Sequence, residues 1–375
     1  MKVYLYLILF FLLLSCQTKK EDKSTGQKKT ISLQYANGFN IEKEGDFTYI
    51  TVSNPWPEAD KPFVYLLAPK GTTPTKNKTY DAFISVPISR LVVTSTTHIP
   101  ALEALGVLNT LVGFPDTRYI SSEAARKRID NGSITELGVN ESINTEILLE
   151  LAPEVVIGFS INNQNKTYQT IERSGIPVVY NGDWNETSPL GKAEWIKFFA
   201  PFFQKESLAD SLFNEIKSNY QQAKEIAANA TKRPTVFSGA MYKDVWYLPA
   251  GESWAAQFIE DANAEYLWKD TKGTGSLALS IESVYDTAIN ADFWISPSQF
   301  TNYTQMESAN KMYMEFAAFK QKHIYTYNKT IGATGGSLYF ELAPQRPDLI
   351  LKDLIYIFHP ELMPEHELFF FKPLD

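Results

Sequence analysis

Apolar residues at positions 208, 212, 216, 220, 223 and 226 recur at steps of three and four, the spacing that keeps one face of an α-helix buried. Residues 206–230, which carry them, hold neither Gly nor Pro. At 1.5 Å per residue that stretch spans about 35 Å, the width of a small domain. We read 188–232 as one long helix, buried along Leu208, Leu212, Ile216, Tyr220, Ala223 and Ile226. On either side, short apolar runs alternate with helical patterns. Before it, 90–95, 111–114, 154–159 and 176–180 read as buried strands, and 98–105, 144–151 and 167–174 as helices. After it, 234–238, 292–296 and 323–327 read as strands, and 253–261, 280–288 and 347–358 as helices. Such alternation calls for parallel sheets covered on both faces. The predicted architecture is two α/β lobes, 89–187 and 233–375, joined by the 188–232 helix. Residues 31–88 break instead into short β-like pieces, with a hairpin across 38–52, and predict a small β extension.

A weak internal repeat links the lobes. Asn144 stands two residues before Glu146, and Ser280 two before Glu282; each helix so begun leads into a strand, EVVIGF or DFWIS. This suggests pseudo-symmetric halves.

Composition narrows the function. The 375 residues are 44% hydrophobic, enough for one large core or two modest ones. A net charge of -8 gives no basic footprint for nucleic acid. One cysteine excludes an internal disulfide and a thiolate cluster. Four scattered histidines do not suggest a bare zinc or manganese site, and no metal centre or resident cofactor is expected. There is no Gly-x-Ser-x-Gly elbow, P-loop, His-Glu-x-x-His or Gly-x-Gly-x-x-Gly, so no catalytic residue is assigned. At the N-terminus an apolar run over 5–14 ends in Ser15-Cys16. It is too short to span a membrane. It resembles a bacterial lipoprotein signal occupying 1–16, which implies a lipid on Cys16. The charged stretch 17–30 reads as a flexible tether.

The runs RLVVTSTTHIPALEALGVLNTLVGF, INTEILLELAPEVVIGF, IERSGIPVV and RPDLILKDLIYIFHPEL occur in that order. Together they resemble the periplasmic binding proteins of bacterial importers for iron–siderophore complexes and vitamin B12. The resemblance implies a class III arrangement, two Rossmann-like lobes on a single long α-helix with a ligand cleft between them. It also implies delivery of a small-molecule metal complex to an ABC permease and its ATPase, by a monomer held to a membrane through its lipid. The location implied is the cell envelope, facing the periplasm or the cell surface. In that family a glutamate on each lobe docks onto permease arginines; by motif these fall on Glu146 and Glu282, although a first-turn acid also simply favours its helix dipole.

Ligands of such folds lie at the carboxyl ends of the strands. In lobe one this marks Thr97, His98, Phe159 and Trp184, and in lobe two Tyr242, Trp246, Trp254 and Tyr339. Flat aromatic side chains suit a bulky ligand such as a ferric chelate, haem or cobalamin, although most aromatics fill cores. His98 is either a metal ligand or a partner in local hydrogen bonding. Arg118, Lys243 and Arg346 could meet an anionic chelate, and Arg346 is equally a residue that starts the last helix. A cell-envelope enzyme or a non-transport binding lipoprotein on the same fold is the alternative.

Overall fold

The strand–helix alternation folds into two parallel sheets, one per lobe. The structure, a computed structural model, describes residues 29–57, 59–74, 79–162, 165–298 and 300–375. Cys16 and most of the predicted tether lie outside the described residues.

The chain enters through β1 (Lys29–Ile31), β2 (Phe39–Glu44), β3 (Phe47–Val52), β4 (Phe63–Pro69) and β5 (Ala82–Val86), which pair in that order into one sheet. The β2–β3 turn passes through Gly45 at φ +60°, the left-handed geometry that two-residue hairpin loops require. Alternate residues Phe39, Ile41, Ile50, Val52, Tyr65 and Leu67 turn inward and share one core with lobe one.

Lobe one follows as β6 (Leu91–Val93), α1 (His98–Ala104), β7 (Leu111–Phe114), α2 (Glu123–Asp130) and β8 (Thr135–Glu136). A small hairpin, β9 (Gly138–Val139) and β10 (Ser142–Ile143), leads to α3 (Thr145–Leu151), β11 (Val155–Gly158), α4 (Lys166–Arg173) and β12 (Val178–Tyr180). The sheet runs β12-β11-β6-β7-β8, all parallel. Chain order reverses between β6 and β11, the switch point at which a crevice opens.

Between the lobes the single long helix is replaced by three: α5 (Pro189–Glu194), α6 (Ile196–Phe203) and α7 (Glu206–Ala227). Pro201 removes a donor in α6, and Gln204 turns left-handed at φ +56°, so the helix cannot continue. Every residue from 189 to 203 is buried. The buried stripe of α7 is also displaced from the predicted one: Ala209, Phe213, Ile216, Tyr220, Ala223 and Ala227 face inward, while Leu208 and Ile226 are exposed. Small alanines on that face let the lobe-two closing helix come close.

Lobe two comprises β13 (Thr235–Ser238), β14 (Ala240–Tyr242), β15 (Val245–Pro249), α8 (Trp254–Asp261), β16 (Glu265–Tyr266), β17 (Ser276–Leu279) and α9 (Ile281–Ala288). Then come β18 (Phe293–Ile295), α10 (Tyr303–Ala309), α11 (Ala317–Lys320), β19 (Ile324–Thr326), α12 (Leu338–Leu342), α13 (Pro347–Phe358) and β20 (Lys372–Pro373). The main sheet is β16-β13-β18-β19-β20, with β20 antiparallel, and its switch point lies between β13 and β18.

The β extension is bolted to the neck. Buried Glu194 accepts the backbone N–H groups of Gln34, Tyr35 and Ala36 at 2.8–3.1 Å, and Glu186 accepts those of Asn37 and Gly38. Gly38 is required there, since a Cβ would stand 2.6 Å from the Trp195 ring. Tyr35 packs against the cores of both lobes.

Candidate functional site

The carboxyl-end loops of the two sheets meet across the lobe boundary. Thr334 Oγ1, after β19, donates to the Arg118 carbonyl, after β7, at 2.5 Å, and Ser121 Oγ donates to the Gly336 carbonyl at 3.1 Å. Gly332 lies so close that a Cβ would stand 2.7 Å from Ser121 Cα. The carboxyl ends of the two sheets therefore face one another along this edge.

The lobe-one side is a hydrogen-bonded floor. Thr97 Oγ1 donates to Asp183 Oδ2 at 2.8 Å, and the Asp183 N–H donates to Asn181 Oδ1 at 2.8 Å. Buried Lys192, on α5, donates to the carbonyls of Asp183 and Trp184 at 3.0 Å each. Burial pushes the Lys192 ammonium below its ordinary pKa, against the opposing pull of Asp183 and Glu186. Its Nζ also lies 5.3 Å from the centroid of Trp254, tying the neck to lobe two. Phe159 and Trp184 meet edge to face at 5.7 Å. A cavity of about 300 Å³ opens beside Phe159, lined by Asn140, Ser160, Ile161, Asn162 and Asn165.

The lobe-two side is an aromatic wall. Tyr327 stacks on Tyr339 at 5.1 Å, and Phe340 stands edge-on to Tyr327 at 5.0 Å. Burial raises the pKa of both phenols. A cavity of about 610 Å³ is lined there by Tyr327, Asn328, Ile331, Ser337 and Phe340. Tyr242 and Tyr247 are exposed on the β14–β15 ribbon. Trp254, half-buried at the start of α8, faces Tyr339 at 6.4 Å.

Two of the predicted ligand contacts are corrected. His98 is wholly buried and packs on Phe199 at 5.3 Å, and burial lowers its pKa against the opposing pull of Asp183 and Asn181. It lies beneath the floor. Trp246 is also wholly buried, its Nε1 donating to the Ser238 carbonyl at 3.0 Å. In the ribbon Met241 pairs with Trp246 and Ala240 with Tyr247, so strand alternation sends Trp246 to the core and Tyr247 outward. Thr97, Phe159 and Trp184 lie in the segments that follow β6, β11 and β12, Trp254 and Tyr339 lie at the starts of α8 and α12, and Tyr242 is the last residue of β14. Arg346 pairs bidentately with Asp348 at 2.9 Å, and Arg118 with Asp116 at 3.2 Å. Tyr327 and Phe340 were not foreseen, though both are aromatics that follow the end of β19.

Glu146 and Glu282 are exposed in the first turns of α3 and α9, one on each lobe. Asn144 and Ser280 cap those helices, accepting the N–H of Ile147 at 3.1 Å and of Ser283 at 3.2 Å. The Glu282 N–H and the Ser280 hydroxyl hold the Glu282 carboxyl below its ordinary pKa. Among the described residues no three His, Cys, Asp or Glu side chains converge as a metal site, and no helix is long and apolar enough to cross a membrane.

Two sheets with facing carboxyl ends on a helical neck define a solute-binding fold, and the family model for periplasmic binding proteins matches residues 91–330. The chain belongs to that family, whose members are substrate-binding proteins of the ABC-transporter type. An uncharacterized lipoprotein of Methanocaldococcus jannaschii is 28% identical over 308 residues, covering 79% of this chain and 72% of the relative. A possible iron-binding periplasmic solute-binding protein from Staphylococcus epidermidis superposes with a TM-score of 0.58 at 20% identity, covering 73% of this chain and 100% of that one. A periplasmic haem-binding protein from Roseiflexus, in apo form, gives 0.54 at 18%, covering 74% and 100%. At these identities the two structures speak for the fold alone.

Proposed function

We propose that the cleft captures a bulky metal complex, a ferric chelate, haem or cobalamin, and that the protein hands it to an ABC permease driven by its ATPase. One observation carries the reading. Tyr119, Ile161, Tyr242, Tyr247 and Phe340, all in segments that follow the carboxyl ends of sheet strands, are between 44% and 66% exposed. Large apolar side chains left in water on facing loops favour a ligand with extensive flat or apolar surface. The possible iron-binding protein and the haem-binding protein that share the fold make that ligand class the first to test. Lobe one contributes Phe159, Trp184 and the Thr97–Asp183 floor; lobe two contributes Tyr242, Trp254, Tyr339 and Phe340.

Glu146 and Glu282 are the permease contacts in this reading, two separated carboxylates matching guanidinium pairs by charge-assisted hydrogen bonds. Cys16 carries the lipid that holds the protein to a membrane, in keeping with the lipoprotein relative.

The test is tryptophan fluorescence of the full chain in detergent, titrated with ferric siderophores, haemin and cyanocobalamin. Saturable one-to-one quenching by one class identifies the ligand; silence toward all three in folded protein overturns the metal-complex reading. Charge reversal at both Glu146 and Glu282 should abolish uptake in reconstituted vesicles while leaving that titration unchanged. Lost ligand binding would instead put the two carboxylates in the cleft.

A further inference from the structure

Glu341 lies on α12 in lobe two, yet its carboxylate is spent on lobe one. Only 2% exposed, it accepts the N–H of Ser121 at 2.6 Å on Oε2 and the N–H of Ser122 at 3.0 Å on Oε1. Ser122 is the N-cap of α2, its hydroxyl accepting the Ala125 N–H at 3.0 Å and donating to Glu103 of α1. Two carboxylates, one from each lobe, thus crowd one helix N-terminus. The same two chain segments are joined by the Thr334–Arg118 and Ser121–Gly336 hydrogen bonds. They also carry Tyr119 on one side and Tyr339 and Phe340 on the other. A cavity of about 590 Å³ adjoins the contact, lined by Pro100, Glu103, Ile331, Leu338, Glu341 and Leu342.

We propose that Glu341 is a positioning residue, a proton-responsive latch that sets the spacing of the two lobes and thereby the width of the cleft between Tyr119 and Phe340. This rests on the cleft assigned above. Among the described residues no cation pairs with the Glu341 carboxyl. The charged groups around the cavity are Glu103 on α1 and Glu123, Arg126, Lys127 and Asp130 on α2. Arg126 is committed to the Thr117 carbonyl at 2.6 Å and to Asp130 at 3.7 Å. Residues 330–340 bring no charge. Burial accordingly pushes the Glu341 carboxyl up to about 7; the Ser121 and Ser122 N–H groups pull it back, and the like charge of Glu103 adds to the rise.

The sign follows from linkage. A carboxyl with an ordinary value of 4.5 when the lobes part, and about 7 when they meet, binds a proton as the latch closes. Closure is therefore fully favoured below the lower value and loses that advantage as pH rises through the upper one. With one proton involved, the latch equilibrium weakens by up to about tenfold per pH unit across that window, and levels off above it.

Amide hydrogen exchange over residues 115–123 reads this in the full chain in detergent, without ligand, from pH 5 to 8 after correction for intrinsic rates. Protection of the Ser121 and Ser122 amides should fall as pH rises toward 7 and then flatten. Glu341→Gln should give a flat profile, and Glu103→Gln should move the end of the fall to lower pH. A flat wild-type profile overturns the latch, as does a wild-type fall in Glu341→Gln. If Glu341→Gln does not fold, Glu103→Gln decides alone: an unshifted fall overturns the proposal and a shifted one upholds it. Because no ligand enters, a failed ligand titration and a failed latch remain separate results.

Discussion

Lobe one and lobe two each carry a five-stranded sheet, all parallel in lobe one but differently ordered and with an antiparallel edge strand in lobe two, and they build their faces differently. In lobe one the candidate residues bond to one another: Thr97 to Asp183, Lys192 to the loop that carries Trp184, His98 sealed beneath. In lobe two they stack and protrude, with Tyr327, Tyr339 and Phe340 in mutual contact and Tyr242 and Tyr247 in water. A hydrogen-bonded floor constrains its own side chains, although Asp183 Oδ1 and Trp184 Nε1 stay buried without a partner among the described residues, and an aromatic wall contributes adaptable contact area. Under the proposed function, the difference would give shape to lobe one and affinity to lobe two.

Truncation of aromatics is the sharpest way to strain that contrast. Trp246→Ala should destabilise lobe two by about 3–5 kcal/mol, because it empties a core position. Tyr247→Ala, its exposed neighbour, should stay within about 0.5 kcal/mol. Chemical denaturation of both compares them directly, and equal losses would show that the ribbon does not alternate as described. Next comes the neck. Glu194→Gln removes the charge that gathers three backbone N–H groups and pairs with Lys197 at 3.1 Å, so about 1.5–3 kcal/mol should be lost. A variant as stable as the parent would mean the strap is dispensable. The cleft itself gives a smaller effect than the Trp246 and Glu194 substitutions: Phe340→Ala should weaken the ligand found by titration about tenfold, roughly 1.4 kcal/mol, with no change in melting temperature. Should Thr97→Val cost as much affinity as Phe340→Ala, the division of labour between the lobes fails.

Much of the architecture was legible because it repeats. Strands 90–95, 154–159 and 292–296 announced themselves by continuous apolar runs, and Asn144 and Ser280 by caps that the structure realises. The misreadings have local causes. Helical spacing admits two overlapping stripes in α7: Ile216, Tyr220 and Ala223 are buried as expected, while weighting leucine and isoleucine above alanine took Leu208 and Ile226 in place of Ala209 and Ala227. In the ribbon, period two requires that one of Trp246 and Tyr247 point inward, but only pairing with β14 decides which. Pro201 was a visible signal that the connecting helix breaks. Glu194 and Glu341 were beyond reach, since their partners lie about 160 and 220 residues away along the chain.

The strap at residues 34–38 also governs how load passes through the molecule. Because five consecutive N–H groups there grip Glu186 and Glu194, a pull on the chain upstream of Lys29 passes through the β1–β2 pairing and then reaches the waist. A body suspended at its waist can pivot as a whole without prising its halves apart. If Cys16 carries the proposed lipid, tension that passes β1 is borne by the neck helices rather than by the mouth of the cleft.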